Sequence, residues 1–176
     1  MNVHEIDFRY SWTSSIFQSL EAGFSTIRER EKEADWFDGT WQLEHIESLF
    51  GIAFVSAQTY ILGTVQDINA IRKYSGKLPI DKIKCYAEDI KPLPDGTSRI
   101  ILINCIANYY KHHDEWDTWP TNSTTKILSA VGITNKTEFP CYKVAIILWN
   151  ERECEKLGNL LSIISEWRTY ILGKYK

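Results

Sequence analysis

Asn104, Asn108, Lys111, His112 and Glu115 recur at steps of three or four inside the stretch N-C-I-A-N-Y-Y-K-H-H-D-E-W, residues 104–116, which places them on one face of a helix. The residues from Arg99 to Cys105 are almost all of buried type, so that helix is expected to face the core nearly all round. An unsatisfied buried polar group costs roughly 1–3 kcal/mol, and a polar stripe on a central helix therefore needs a reason. Either its members satisfy one another between helices or they line a cleft. The run K-H-H-D-E-W adds two imidazoles, an ammonium and two carboxylates within six residues. A histidine with its ordinary pKa of about 6.5 is suited to proton transfer. Trp116 and Trp119 follow directly and are placed to cover a base or another planar ligand. On the preceding long helix, Gln58 is the candidate partner for Asn104 or Asn108.

Other chemistries find less support. A metal site in a helical bundle would use Glu-x-x-His repeats or several converging histidines. His45, His112 and His113 are the candidates here, but adjacent His112 and His113 point about 100° apart on a helix, which disfavours one shared ion, so no metal or other cofactor is expected. No P-loop, G-x-G-x-x-G or nucleophile elbow is present, which leaves ATP-driven and serine-hydrolase chemistry without a motif. The four cysteines, Cys85, Cys105, Cys141 and Cys154, show no C-x-x-C pair and read as buried free thiols.

The elements that must position these groups are helical. Trp12, Ile16, Leu20, Phe24 and Ile27 keep helical steps over residues 12–35, ending in the solvated run R-E-R-E-K-E. After Asp38-Gly39, with Thr40 as N-cap, a second helix keeps its period for about thirty residues until Ser75-Gly76. A short helix follows from about Asp81 to Ile90, and Ser98 opens a third long helix over about 99–115, stopped by the Trp116–Pro120 segment. Another short helix is expected from Ser123 to Val131, ending at Gly132. Residues 141–149 have the composition of either a strand or a helix, and with no partner strand elsewhere the expectation is one long helix over Cys141–Tyr175, with Pro140 in its first turn. The fold expected is an all-α bundle of four long helices with additional short helices, forming one domain over residues 1–176.

Composition bounds the rest. A net charge of -3 and an ordinary 44% hydrophobic content argue against a broad cationic surface for duplex DNA. The amino terminus M-N-V-H-E-I-D-F-R-Y lacks the basic start and apolar run of a signal peptide, and no uncharged apolar stretch of about 18 residues is evident. A cytoplasmic protein with no membrane association is expected. His4 and the run N-E-R-E-C-E-K at 150–156 are expected at the surface.

The hexapeptide A-N-Y-Y-K-H, residues 107–112, resembles the signature of HEPN domains, in which an Arg is followed by a polar residue, a few variable residues and a His. HEPN domains are helical bundles of about this size. Many are metal-independent ribonucleases of toxin–antitoxin, phage-defence and CRISPR systems, in which two copies form one cleft, so the resemblance implies a homodimer. Carried over by position, it implies that Asn108 is the polar residue and His112 the catalytic His. The Arg position falls on Ala107, which cannot stabilise charge on a phosphate, and Lys111 is the nearest cation, without the guanidinium fork. Three readings remain open. One is an endoribonuclease acting on single-stranded RNA, with His112 as acid or base, Lys111 or His113 as electrostatic support and Asn108 positioning the phosphate. Another is a HEPN-like domain that binds RNA or a nucleotide through Asn104, Asn108, Lys111, Glu115, Trp116 and Trp119, with catalysis weakened or lost. The third is a protein-interaction domain presenting an aromatic patch at Trp116 and Trp119.

Overall fold

The computed structural model describes residues 7–33, 39–149 and 155–175. His4, Asp38, Cys154 and most of the 150–156 run lie outside the described residues. Among the described residues the chain is all-helical: α1 Phe8–Glu33, α2 Gly39–Tyr74, α3 Lys82–Ala87, α4 Arg99–His112, α5 Ser123–Ala130, α6 Pro140–Trp149 and α7 Gly158–Tyr175. A 3-10 turn over His113–Glu115 tightens the end of α4.

Local chemistry sets most of the boundaries. Asp7 precedes α1 and accepts from the Tyr10 backbone N–H at 3.0 Å, so this helix begins earlier than the periodicity predicts. Thr40, expected as the N-cap of the second helix, lies inside α2, which already includes Gly39. At the other end of α2, Gly76 has φ 67. This left-handed conformation, free of a Cβ clash in Gly, lets Lys77 N–H reach the Arg72 carbonyl at 2.8 Å and Gly76 N–H the Lys73 carbonyl at 3.1 Å, the paired bonds of a Schellman ending. Asp81 caps α3, Ser98 caps α4, and Asn122 forms a reciprocal capping box with Thr125 on α5. Three of the four cysteines, Cys85, Cys105 and Cys141, are buried and free.

Residues 141–149 are helical, and Pro140 opens their first turn as expected. The predicted single helix over Cys141–Tyr175 is instead two, α6 and α7. Their neighbours supply the reason. α6 packs on α2 and α4, whereas α7 packs on α2 and α1, so the two segments bury their apolar faces against different neighbours, and residues 155–157 before α7 are not helical.

The core lies around α2 and α4. Phe50, Phe54, Ala57, Ile61 and Ile68 of α2 and Ile100, Leu102, Ile103, Ile106 and Ala107 of α4 are buried together with Trp167 and Ile171 of α7. By length and apolarity α2 reaches the range of a membrane-spanning helix, with mean hydropathy 1.4 over its most apolar window, and 56% of that window is buried within the fold. Buried charge ties the bundle at two places. Arg168 of α7 meets Asp7 and Asp67 at 3.1 Å each, and Asp67 also holds Arg9. Arg99 binds the almost fully buried Asp89 at 2.7 Å, which makes it a structural cation at the start of α4.

Candidate functional site

The polar stripe of α4 is answered by one residue of α2. Gln58 Nε2 donates to Asn104 Oδ1 at 2.9 Å, to the Asn104 carbonyl at 3.3 Å and to Asn108 Oδ1 at 2.8 Å. Lys111 Nζ donates to Gln58 Oε1 at 2.8 Å. An ammonium can only donate, so the Gln58 oxygen must face Lys111 and its nitrogen must face the asparagines. Both asparagines therefore spend their oxygens on Gln58. Their Nδ2 groups have no protein partner among the described residues.

This clasp borders a cleft of about 710 Å³ between α2, α3, α4 and the N-terminal turn of α5. Its polar lining includes Asn104, Asn108, Lys111, Lys82, Ser123 and Thr124, together with Gln58, Thr59 and Tyr86. Val55, Leu62, Ile83, Ile101 and Ile127 form its apolar walls. Among the described residues no Asp or Glu lines it, although the chain as a whole carries a net charge of -3. Two ammonium groups, two carboxamide N–H₂ groups and the N-terminal end of α5 thus present donors and positive potential. Such a surface fits an anion that also carries an apolar or planar part. Cys105 lines the same cleft, but burial pushes its thiol up to about 11 against a hydrogen bond with Thr124. A thiol held neutral in this way is not a nucleophile at physiological pH.

A second depression of about 800 Å³ continues along the α2–α4 seam, lined by Glu47, Ser48, Ile52, Tyr110, His113 and Phe139 among others. The helices meet closely here. A Cβ on Gly51 would lie 2.1 Å from the Tyr110 ring, so only Gly permits this approach. Of the two carboxylates of the depression, Glu47 accepts from the backbone N–H groups of Cys141 and Tyr142 at 2.8 and 2.9 Å, whereas Asp114 is largely exposed, 3.1 Å from His113 Nε2. Burial pushes the Tyr109 hydroxyl up to about 12.

The remaining sequence candidates point elsewhere. His112 is half exposed and its Nδ1 lies 3.3 Å from both carboxylate oxygens of Glu115, itself largely exposed. His112 lines neither cleft. His113 stacks on Tyr109 at 5.0 Å. Trp116 and Trp119 pack edge-to-face at 6.0 Å beside Tyr109, both half-buried, with Trp119 against the core. The structure therefore gathers Asn104, Asn108 and Lys111 with Gln58, and separates them from His112, Glu115, Trp116 and Trp119. His45 packs against Trp41 at 3.8 Å, and among the described residues no three His, Cys, Asp or Glu side chains are grouped to hold a metal ion. Lys82, Ser123, Thr124 and Glu47 were not legible as site residues, because they come from α3, α5 and α2 and none shares a periodic face with the stripe on α4.

Family models, curated proteins and solved structures contain no match to this chain.

Proposed function

We propose that this chain is a HEPN-like helical domain that binds a nucleotide or RNA through the cleft between α2, α3, α4 and α5, without cleaving it. The observation that carries the reading is the polar lining of that cleft. Lys111, Lys82 and the outward Nδ2 groups of Asn104 and Asn108 offer donors only, and no carboxylate opposes them among the described lining residues. Phosphate contacts supply most of the sequence-independent affinity of nucleic-acid binding, and apolar walls beside them suit a base. Loss of catalysis is supported by two placements. Ala107, at the position where the HEPN pattern has Arg, is fully buried, so no cation can stand there without entering the core. His112 faces solvent beside Glu115 instead of the donor-lined cleft.

Titration of fluorescein-labelled single-stranded RNA and of adenine nucleotides at low salt tests this reading. Lys111→Met keeps the stem and removes the charge. It is expected to weaken binding about tenfold, as for loss of one charge-assisted hydrogen bond, and to reduce the salt dependence by about one phosphate contact. His112→Ala is expected to bind as the wild type does. Well-folded wild type that binds neither ligand, or Lys111→Met that binds equally well, would overturn the proposal. RNA cleavage in EDTA that disappears in His112→Ala would restore the ribonuclease reading.

A further inference from the structure

The donor-lined cleft and the second depression are consecutive segments of one groove. Gly51 faces Tyr110 and Gln58 faces Asn104 and Asn108, so residue numbers rise along α2 as they fall along α4, and the two helices run antiparallel. Ser48 and Ile52 belong to the second depression, Gln58 and Leu62 to the cleft, and Val55 and Lys111 to both. At about 1.5 Å per residue, the α2 edge from Ser48 to Leu62 extends for roughly 20 Å. That is longer than one nucleotide needs.

The chemistry changes along this groove. The second depression presents Tyr110, Phe139 and the His113 imidazole, with hydroxyls from Ser48 and Ser56. Of its carboxylates, Glu47 is bonded to the start of α6, and Asp114, 92% exposed, points largely into solvent with one oxygen 3.1 Å from His113 Nε2. The ammonium of Lys111 stands on the boundary, held by the neutral Gln58 oxygen at 2.8 Å, with donor capacity to spare. We infer that the ligand is a phosphodiester-linked strand and not a free mononucleotide: one unit lies in the donor-lined cleft, the next lies among the aromatic groups of the second depression, and the linking phosphate sits on Lys111. The inference rests on the nucleotide-binding reading and adds the occupancy of both segments. Stacking on aromatic groups tolerates any base, so the groove should read polymer length more than sequence.

The test compares 5′-AMP with the dinucleotide pApA by calorimetry on the full chain. The wild type should bind pApA at least about tenfold tighter, the gain expected from one further stacked base. Ile52→Glu places a carboxylate in the second depression only, at a position 44% exposed in the native fold. It should bring pApA close to AMP and leave AMP unchanged, with circular dichroism confirming the fold. Equal affinities for AMP and pApA in the wild type would overturn the inference and leave a mononucleotide site standing. A pApA advantage that persists undiminished in folded Ile52→Glu would also overturn it, because the second unit would then lie elsewhere. Absence of binding by either probe would overturn the inference together with the reading beneath it.

Discussion

Lys111 orients three carboxamides through one fact, that an ammonium has no lone pair to offer. Because its Nζ meets Gln58 Oε1, Gln58 turns its nitrogen to Asn104 and Asn108, and these turn their own nitrogens to the cleft. The chain of constraint can be reversed with a single atom. Gln58→Glu keeps a strong acceptor for Lys111 but removes the donor that the asparagine oxygens use. Both carboxamides are then expected to flip, giving N–H to the new carboxylate and oxygen to the cleft. The cleft would gain acceptors and a negative charge while the interhelical bonds persist. Nucleotide or RNA binding should fall below detection with a melting temperature within a few degrees of wild type; a variant that binds normally would show that the donor surface is not what holds the ligand.

At the scale of elements, the site depends on helices whose ends are satisfied from afar. The first backbone N–H groups of a helix have no partner within it, and for α6 those of Cys141 and Tyr142 are taken by Glu47 from the N-terminal third of α2. A carboxylate there also complements the helix dipole. Glu47→Ala is expected to cost about 1 kcal/mol, as for other lost caps, measured by urea unfolding. It should also speed hydrogen exchange at the start of α6 specifically. An unchanged denaturation midpoint and unchanged exchange would show that water serves those groups equally well. Burial and the adjoining Glu47 carboxylate both push the Cys141 thiol up, so that thiol stays neutral beside this cap.

For the whole molecule, buried ion pairs link acid to stability. Burial alone would raise the carboxyl of Asp89, but hydrogen bonds from the Arg99 side chain and from the backbone N–H groups of Lys91 and Arg99 outweigh it and hold the group below its ordinary value. Asp67 behaves likewise, its burial outweighed by Arg9 and Arg168. A carboxyl with a depressed folded pKa adds stability that is complete above its unfolded value of about 3.9 and is lost as pH falls through the folded value. Urea midpoints should therefore vary little on account of these groups from pH 7 to about 5, and decline below about pH 4. Asp89→Asn should be less stable at pH 7 and show a shallower acid decline. An acid slope identical to wild type would mean that Asp89 is not among the groups that titrate on unfolding.

Local signals reach as far as the boundaries and the stripe. The helical steps of α1, α2 and α4, the cap at Ser98, the stop at Ser75-Gly76 and the face shared by Asn104, Asn108 and Lys111 all follow from nearest neighbours and from a period of 3.6 residues, and the structure has each of them. The sequence also offered Gln58 as a candidate partner for Asn104 or Asn108, since a polar side chain on an apolar helix face requires one, and the fold pairs it with both. What it could not decide was the direction of groups that differ by one position. Lys111 and His112 are adjacent, so their side chains diverge by about 100°; only the docking of α2 against α4 made the first a cleft residue and left the second with Glu115 in solvent. The break between α6 and α7, the carboxylate-free wall contributed by α3 and α5, and the burial of Ala107 have the same origin. Each depends on which helices pack together, and that is settled by contacts between residues far apart in the chain.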